Sequence, residues 1–318
     1  MKKIQVLLAT YNGQDYIIDQ IESILLNFER APNYHCEILI SDDASTDSTI
    51  QTIKNKFSSC ANIKILSDER KGGVRNNFTY LINSANADLI FFCDQDDFWL
   101  PNKFSKFIDN FYDHNGNDLH GDVPVLVHSD LCVVDKYLSP INASMFNYQK
   151  LNPDPTFSNL IVSNSITGCV TAINHSLLEI LKSSSINNSI MHDWYIGLIA
   201  KAMGKVIFLP NSFILYRQHG NNQVGAKKIG FKNLFDFEKF KEALSSIRAT
   251  KEQAKLFLAD FSDSIDSKTS GIANDYVLSF QKSFVFRLRL FLKYGIVKYG
   301  FVRNAVFFIL YVFFGRSI

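Results

Sequence analysis

The chain has 318 residues, of which 47% are hydrophobic and 20% are charged, and these values are typical of a globular protein with a sizeable core. The formal net charge is only +2, but residues 276–318 contain seven Lys or Arg and no Asp or Glu. So few charges among so much apolar bulk argue against nucleic-acid binding. Five scattered cysteines and a start without a long apolar segment predict a reduced, cytoplasmic protein without a signal peptide.

The first hundred residues predict strands that alternate with helices. Short apolar runs at 4–9, 36–40, 63–66 and 89–93 predict strands, and helical spacing predicts helices at 17–28, 47–57 and 74–85. This alternation is typical of βαβ units and predicts an α/β fold with a mainly parallel sheet.

Polar residues follow three of these strands, and the carboxyl ends of parallel strands share one edge. We therefore expect one crevice lined by all three polar groups. Carboxylates this close repel one another unless a cation lies between them, and Mg²⁺ or Mn²⁺ bound with a substrate diphosphate would meet that need. A solvated acidic turn is the alternative, and the chain has no Walker or Gly-x-Gly-x-x-Gly motif. The three groups are Thr10-Tyr11-Asn12, Asp42-Asp43 and Asp94-Gln95-Asp96-Asp97.

The middle of the chain predicts a less regular half. Pro101 is expected to start a helix that runs to 112, and a strand at 123–127 is expected to end before His128-Ser129-Asp130. These three neighbours are not expected to form a hydrolase triad, because a triad is assembled in space. The further expectations are a mobile polar segment at 147–157, a close backbone approach at Gly168, helices at 177–181 and 191–203, and strands at 206–209 and 213–216.

The sequence of the C-terminal third predicts helices that are expected to lie on a membrane surface or to pack on protein. Residues 231–260, with Phe231, Leu234 and Phe235, indicate an amphipathic helix, 260–275 a polar loop, and 276–318 basic and aromatic helices. The apolar run at 305–315 is too short to span a bilayer, so we expect a helix that lies on an anionic membrane surface. The alternative is packing on the preceding α/β domain or on a partner subunit, such as a homodimer formed through these helices.

Five motifs occur in order along the chain, namely Leu8-Ala9-Thr10-Tyr11-Asn12-Gly13, Ser41 to Asp47, Cys93 to Trp99, His192-Asp193-Trp194 and Tyr216-Arg217-Gln218-His219. In this order they resemble glycosyltransferase family 2, the inverting enzymes of the GT-A fold. The resemblance implies a Rossmann-like, mainly parallel sheet flanked by helices, with a catalytic domain at 1–225 and a helical appendage at 226–318. The donor half would be about 1–100 and the acceptor half about 101–225. The Asp-Gln-Asp-Asp-Phe-Trp form is most similar to bacterial rhamnosyltransferases of polysaccharide assembly.

The resemblance also implies a role for each matching position. Many members carry Glu where this chain has His192, so the role of that residue stays open. The implied roles are contact with the nucleotide for Thr10, Tyr11, Asn12 and Asp42 or Asp43, metal and ribose binding for Asp94 and Asp96, completion of the metal shell for His219, a place beside donor and acceptor for Gly168, and proton abstraction for Asp193.

Together these features predict a metal-dependent inverting glycosyltransferase at the cytoplasmic face of the plasma membrane. It would move rhamnose from dTDP-rhamnose to a hydroxyl group of a lipid-linked saccharide. The alternatives are a UDP-hexose donor, an inactive sugar-nucleotide-binding module, and a metal-dependent nucleotidyltransferase or phosphatase.

Overall fold

A computed structural model of the protein describes residues 1–219 and 237–317. Its strands form one mixed sheet. They are β1 (Lys2–Thr10), β2 (Tyr34–Asp42), β3 (Ile63–Ser67), β4 (Leu89–Cys93), β5 (Phe98–Trp99), β6 (Val125–Val134), β7 (Pro140–Asn142), β8 (Thr171–Asn174) and β9 (Lys205–Arg217).

Helices cover the sheet and form the C-terminal region. No helix in the two described ranges has both the length and the apolar content needed to cross a bilayer. The helices are α1 (Ile17–Glu29), α2 (Thr49–Phe57), α3 (Val74–Ser84), α4 (Lys103–Ile108), α5 (Met145–Gln149), α6 (Phe157–Leu160), α7 (His175–Lys182), α8 (His192–Met203), α9 (Phe237–Phe261), α10 (Ser267–Ser279), α11 (Phe284–Tyr294) and α12 (Phe301–Phe314).

The first half of the sheet is parallel, as predicted. Its strand order is β3-β2-β1-β4, and each neighbouring pair runs in the same direction. In the register, Thr10 lies opposite Asp42 and Leu8 lies opposite Cys93. The three polar strand ends therefore meet at one edge of the sheet.

The second half is mixed because β8 inserts between β4 and β6. It is antiparallel to both of them, whereas β6 and β9 run parallel to each other. This insertion brings residues near 170 next to the end of β4. Strand β8 has only four residues, which is too short for a clear periodic pattern in the sequence.

Strands β6 and β9 are longer than predicted. Strand β6 does not end at Val127 but continues through buried His128, Ser129 and Asp130. Strand β9 is one strand across Pro210, and the register shift between Ser129 and Asp130 absorbs the extra residues. Proline cannot donate to a ladder, so it is tolerated here only at an irregularity.

The helix predicted from Pro101 to 112 is too long at both ends. Pro101 lies in a turn, and α4 covers only Lys103–Ile108. Beyond it, the amides of Phe111 and Tyr112 both donate to the Ile108 carbonyl, at 2.8 and 3.0 Å, and Tyr112 bridges to Asp118. A local pairing therefore replaces the last helical turn.

The polar segment at 147–157, expected to be mobile, has defined hydrogen bonds at both ends. Helix α5 includes the first residues of this segment, and near its end Thr156 caps α6 in a capping box with Asn159. Both short helices pack beside the site described below.

The loop predicted at 260–275 is wrong over most of its length, because α10 begins at Ser267. The Asp266 carboxylate caps it by accepting from the amides of Lys268 and Thr269 at 2.9 and 3.0 Å. The predicted helix at 231–260 is found as α9, whereas its residues at 231–236 lie outside the described residues.

The C-terminal helices share an apolar core with the catalytic sheet. Alternate side chains of β1 point to opposite faces, so that Val6 and Leu7 join different clusters. Leu7 belongs to the cluster that contains Phe257 of α9 and Tyr276 of α10. One face of the appendage therefore packs on the catalytic domain, which was one of the alternatives for this region. The proposed boundary near 225 lies outside the described residues.

Candidate active site

The strand ends form one wall of a cavity of about 890 Å³. Thr10 and Asp42, which are opposite each other in the sheet, are joined by a hydrogen bond from Thr10 Oγ1 to Asp42 Oδ1 at 2.7 Å. The cavity extends from β1 and β4 to the start of α8, so it is bordered by both halves of the sheet. Seven residues singled out from the sequence line it, namely Thr10, Tyr11, Asp43, Asp94, Asp96, Gly168 and Asp193.

Asp42 and Asp43 differ in their access to this cavity. Asp42 is buried behind the wall, where it accepts from Thr10 and from the amide and hydroxyl of Ser45 at 2.7 and 2.6 Å. Asp43 lines the cavity and accepts from the amides of Lys71, Gly72 and Gly73. Although burial favours its protonated form, these hydrogen bonds hold the pKa of Asp43 below its ordinary value.

Asn12 shapes the loop and does not line the cavity. Its backbone has φ of +50°, a left-handed conformation that Asn tolerates better than most residues. Its side-chain carbonyl accepts from the Thr46 amide at 2.8 Å, and its own amide donates to Ser45 Oγ at 2.8 Å. These contacts position the loops after β1 and β2, and the predicted contact of Asn12 with the nucleotide stays a prediction.

Gln95 was not singled out from the sequence, although the structure places it at the centre of this wall. Its side chain accepts from the Tyr11 amide at 2.7 Å and donates to the Tyr11 carbonyl at 2.9 Å. Gly13 lies against it, since a Cβ at that position would come within 2.3 Å of Gln95 Oε1. The sequence signal that could have revealed Gln95 is an amide residue between two aspartates, together with a glycine in the loop after β1.

Three aspartates after β4 concentrate negative charge at the cavity floor. Asp94 and Asp96 line the cavity, whereas Asp97 is fully buried beneath them. Burial, followed by the neighbouring charges of Asp96 and Asp193, raises the pKa of Asp94 to about 7. Burial, followed by the charges of Asp96 and Asp94, also raises the pKa of Asp97 well above its ordinary value.

Lys103 lies below these carboxylates and is another residue that the sequence did not reveal. It is fully buried, its Nζ donates to the Cys169 carbonyl at 2.9 Å, and the same atom lies 3.3 Å from the centre of the Trp99 ring. Burial lowers its pKa to about 7. A lysine in a short amphipathic helix is usually solvated, so only the packing of α4 reveals its contact with the site.

The carboxylates at the floor fit a hard divalent cation, whereas the neighbouring Cys169 thiol does not. One ligand atom each of Asp94, Asp97 and Cys169 lies within 4.8 Å of the others, and Oδ2 of Asp97 has no hydrogen-bond partner among the described residues. On the other side of the motif, His219 Nε2 lies 2.7 Å from Asp96 Oδ2, and the His219 ring packs on Tyr16 with centroids 4.8 Å apart. Carboxylate oxygens are the ligands that Mg²⁺ prefers, and Mn²⁺ also accepts imidazole nitrogen.

Arg217 ties the end of β9 to this acidic motif. Its amide donates to Asp97 Oδ1 at 3.1 Å and its Nε donates to the Asp96 carbonyl at 2.9 Å. The buried guanidinium also contacts Asp19 of α1 at 3.3 Å. Arg217 therefore holds the end of β9 against the aspartates. This keeps His219, two residues further along the chain, close to Asp96.

Asp193 stands in the first turn of α8, away from β4 in sequence but beside its end in space. Its carboxylate accepts from Asn164 Nδ2 and the Gly168 amide, both at 3.2 Å, and from the Trp194 amide at 2.6 Å. Burial outweighs these hydrogen bonds and raises its pKa to about 6. An oriented carboxylate with this pKa is suited to accept a proton near neutral pH.

His192, at the position of the family's Glu, is buried beside this base. Its ring stacks on Phe78 with centroids 4.1 Å apart, and neither ring nitrogen has a hydrogen-bond partner in the described part of the chain. Burial lowers its pKa to about 3, so the imidazole is neutral. Gly168 is needed next to it, because a Cβ there would approach His192 Nε2 to 3.0 Å.

Comparisons with known proteins identify the family of this chain. A sequence profile described as "Glycosyl transferase family 2" matches residues 5–142. The dTDP-rhamnosyl transferase RfbG of Shigella flexneri is 32% identical over 238 residues, which cover 71% of this chain and 75% of that protein. The UDP-Glc:alpha-D-GlcNAc-diphosphoundecaprenol beta-1,3-glucosyltransferase WfgD of Escherichia coli is 25% identical over 54% of this chain and 59% of its own length.

A solved structure shares the fold. The crystal structure of Staphylococcus aureus TarS 1-349 in complex with UDP superposes with a TM-score of 0.54 at 17% identity, and the match covers 90% of this chain and 75% of that chain. This likeness establishes the GT-A fold, in which a mixed sheet is flanked by helices.

Proposed function

The chain belongs to glycosyl transferase family 2, and we propose that it is an inverting, metal-dependent rhamnosyltransferase that uses dTDP-rhamnose. Its acceptor is a hydroxyl group of a lipid-linked saccharide, and its place of action is the cytoplasmic face of the plasma membrane. One observation carries the catalytic part of this proposal. Asp94 and Asp96 at the end of β4 and Asp193 at the start of α8 line the same cavity.

The donor nucleotide is assigned to the wall formed by Thr10, Tyr11 and Asp43. A thymine or uracil presents an N3–H group, which needs an acceptor, and an ionised carboxylate has about four acceptor positions. Asp43 accepts three hydrogen bonds from the backbone and lines the cavity, so it retains acceptor capacity toward a base. Asp42 is buried and supports Thr10.

Asp94, Asp96 and His219 are the proposed ligands of Mg²⁺ or Mn²⁺. Such an ion supplies positive charge to the leaving nucleoside diphosphate. Asp97 lies deeper, and the positive charge of buried Lys103 partly offsets the rise in the pKa of Asp94. Through its contacts with Asp96 and Asp97, Arg217 keeps the end of β9 in place, and with it the neighbouring His219.

Asp193 is the proposed general base. It accepts the proton of the acceptor hydroxyl while that oxygen forms a bond to the anomeric carbon of the sugar. The bond from the anomeric carbon to the diphosphate oxygen breaks on the opposite face, so the configuration inverts and the electron pair leaves with the diphosphate. Asn164 and the Gly168 amide hold the carboxylate in position for this transfer.

The RfbG relative, named as a dTDP-rhamnosyl transferase, supports the choice of donor, and the name of WfgD supports a lipid diphosphate acceptor. The same name also favours the second candidate, a UDP-hexose donor in the same site. Because both donors carry a pyrimidinedione base and a diphosphate, the base-binding wall does not separate them.

A donor panel tests the proposal. Purified full-length protein is incubated without acceptor with dTDP-rhamnose, UDP-glucose and UDP-N-acetylglucosamine, each with Mn²⁺, Mg²⁺ or chelator. We expect slow, metal-dependent release of dTDP from dTDP-rhamnose. Preferential release of UDP would move the assignment to a UDP-hexose donor, and products in which the sugar stays attached to phosphate would favour a phosphatase. Absence of release and of binding for every donor would overturn the proposed function.

A further inference from the structure

Helices α11 and α12 form an antiparallel hairpin, which we call the C-terminal hairpin (residues 282–316). The rings of Phe284 and Phe313 meet at one end, with centroids 6.1 Å apart, and those of Phe291 and Phe308 meet further along, at 4.9 Å. Gly295, with φ of +60°, ends α11 in the left-handed conformation. The two helices therefore present one inner and one outer face.

The inner face is fastened to the rest of the protein. Leu290, Leu310 and Tyr311 are buried in the core that also includes the catalytic sheet. The buried guanidinium of Arg287 donates to the carbonyls of Val312 and Ser279 at 2.9 and 3.1 Å. This arginine is therefore structural, and the hairpin is held in a defined orientation.

The outer face exposes large apolar side chains. Leu292 is 72% exposed and Phe301 is 84% exposed, although both have fully apolar side chains. Single exposed hydrophobic residues are common, but a contiguous group on one supersecondary unit marks an interaction surface. The group comprises Phe284, Val285, Leu292, Tyr299, Phe301, Ile309, Phe313 and Phe314.

The exposed charged residues within the hairpin itself are all basic. Lys282, Arg289, Lys293 and Arg316 are exposed, and no Asp or Glu occurs from residue 276 to the end. On α11, Val285, Arg289 and Leu292 follow helical spacing, so apolar and basic side chains share one stripe. This combination complements an anionic lipid surface, in which apolar side chains enter the headgroup boundary and basic side chains meet phosphates.

The turn of the hairpin lies beside the acceptor side of the cavity. Arg303 donates to the carbonyl of Gln149, a residue that lines the cavity, and Asn159 Nδ2 donates to the carbonyls of Gly295 and Val297 at 3.3 and 3.2 Å. A small cleft next to the cavity is lined by both Tyr299 and Asn164, the residue that orients Asp193. The exposed turn therefore borders a cleft that reaches Asn164, the residue that contacts the proposed base.

We infer that the outer face of the C-terminal hairpin docks on a bilayer containing anionic lipid and holds the acceptor side of the cavity at that surface. Leu292, Tyr299 and Phe301 enter the boundary between headgroups and acyl chains, and Arg289 and Lys293 meet the lipid phosphates. The inference rests on the proposed function in one respect, because a lipid-linked acceptor explains why the cavity needs this position.

Vesicle co-sedimentation of the full chain tests the surface. Wild-type protein is compared on phosphatidylglycerol/phosphatidylcholine vesicles and on pure phosphatidylcholine vesicles, together with the variants Arg289→Glu/Leu292→Ser and Phe301→Ser. The matched control is Leu26→Ser/Arg30→Glu, which changes an exposed apolar and an exposed basic residue near the end of α1. We expect wild-type and control to bind the anionic vesicles, and each hairpin variant to lose at least about tenfold in partitioning.

Two further measurements keep the inference separate from the proposed function. Acceptor-free donor hydrolysis and circular dichroism should be unchanged in the hairpin variants, so that a loss of vesicle binding is not a loss of fold. Absence of donor turnover alongside intact vesicle binding would sink only the catalytic proposal. Wild-type protein that ignores anionic vesicles, or hairpin variants that bind as well as wild type, would overturn the inference. Light scattering that shows a wild-type dimer and monomeric hairpin variants would also overturn it, because the face would then join two copies.

Discussion

The side chain of Gln95 pairs with the main chain of Tyr11 in both directions. It accepts from the Tyr11 amide at 2.7 Å and donates to the Tyr11 carbonyl at 2.9 Å. This pairing continues the β1–β4 ladder beyond the last register pair, Leu8 and Cys93, by means of a side chain. It thereby joins the loop that carries the proposed base-binding residues to the motif that carries the aspartates.

Gln95→Ala should weaken donor binding without unfolding the protein. Two hydrogen bonds of about 1 kcal/mol each are lost, so the donor Kd should rise by about tenfold or more. Gly13→Ala should have a similar effect, because its Cβ would displace the Gln95 amide. Titration calorimetry with dTDP measures both, and Gln51→Ala is the control, since that side chain is exposed and donates to Asn55. Unchanged affinity in both variants would show that the Tyr11 loop is held by other contacts.

Asp193→Asn should abolish turnover and leave donor binding intact. The substitution keeps the side-chain shape but removes the proton acceptor, and general base catalysis contributes about 10² to 10⁴ in rate. Transfer rate and dTDP affinity are measured on the same preparation. Asp154→Asn is the control, because Asp154 is exposed and forms a surface ion pair with Lys201. Turnover within about twofold of wild type would place the base elsewhere.

The transfer rate should rise with pH through the titration of Asp193. Burial raises the pKa of this carboxyl to about 6, and only the ionised form accepts a proton, so activity is lost as the pH falls below that value. The rate is measured from pH 5 to pH 8 at saturating substrates and metal. Saturating metal is used because the neighbouring Asp94, a proposed metal ligand, also has a raised pKa. A rate that stays level from pH 7 down to pH 5 contradicts the assignment.

Metal affinity should depend on Asp96 more than on any exposed acid. Asp96 lies at the cavity and contacts His219 at 2.7 Å, so Asp96→Asn should weaken Mn²⁺ binding in the presence of dTDP by at least about tenfold, and His219→Gln by less. Manganese electron paramagnetic resonance measures the free ion, and Asp68→Asn is the exposed control. If Asp97→Asn or Cys169→Ser alone removed binding and Asp96→Asn did not, the ion would belong to the deeper group.

His192→Phe should stabilise the folded protein. The ring is buried against Phe78, and both nitrogens lack partners in the described part of the chain, so their burial costs about 1–3 kcal/mol. Phenylalanine keeps the stacking and removes this cost, and we expect the midpoint of thermal unfolding to rise. His192→Gln is the comparison, because it restores polarity without the ring. A lower midpoint for the phenylalanine variant would mean that the nitrogens have a partner such as water.

The donor half was predictable because its signals are local. Apolar runs of strand length alternate with helical spacing, and the polar residues that follow β1, β2 and β4 must meet if the strands are parallel. The structure confirms that meeting through the register of Thr10 with Asp42 and of Leu8 with Cys93. The order of the five motifs was also sufficient to indicate the family, since each motif is a short contiguous stretch.

Local signals failed where tertiary contacts overrode them. Because of Pro210, two strands were predicted where the structure has one. The polar composition of 260–275 led to the prediction of a loop where α10 begins. Neither error moves a site residue, because β9 still delivers Arg217 to the aspartates and α10 lies in the appendage.

The sequence alone determined the fold class, the strand ends and the identity of the acidic motif, because these depend on neighbours along the chain. Only the tertiary structure decided that Asp43 faces the cavity while Asp42 supports Thr10, that Lys103 lies beneath the carboxylates, and that the hairpin turn adjoins Asn164. The physical reason is that each of these contacts joins segments distant in sequence, and the antiparallel insertion of β8 between β4 and β6 brings further such segments to one edge of the sheet. Burial there sets the pKa of Asp94 and of Asp193, and no spacing along the chain encodes burial.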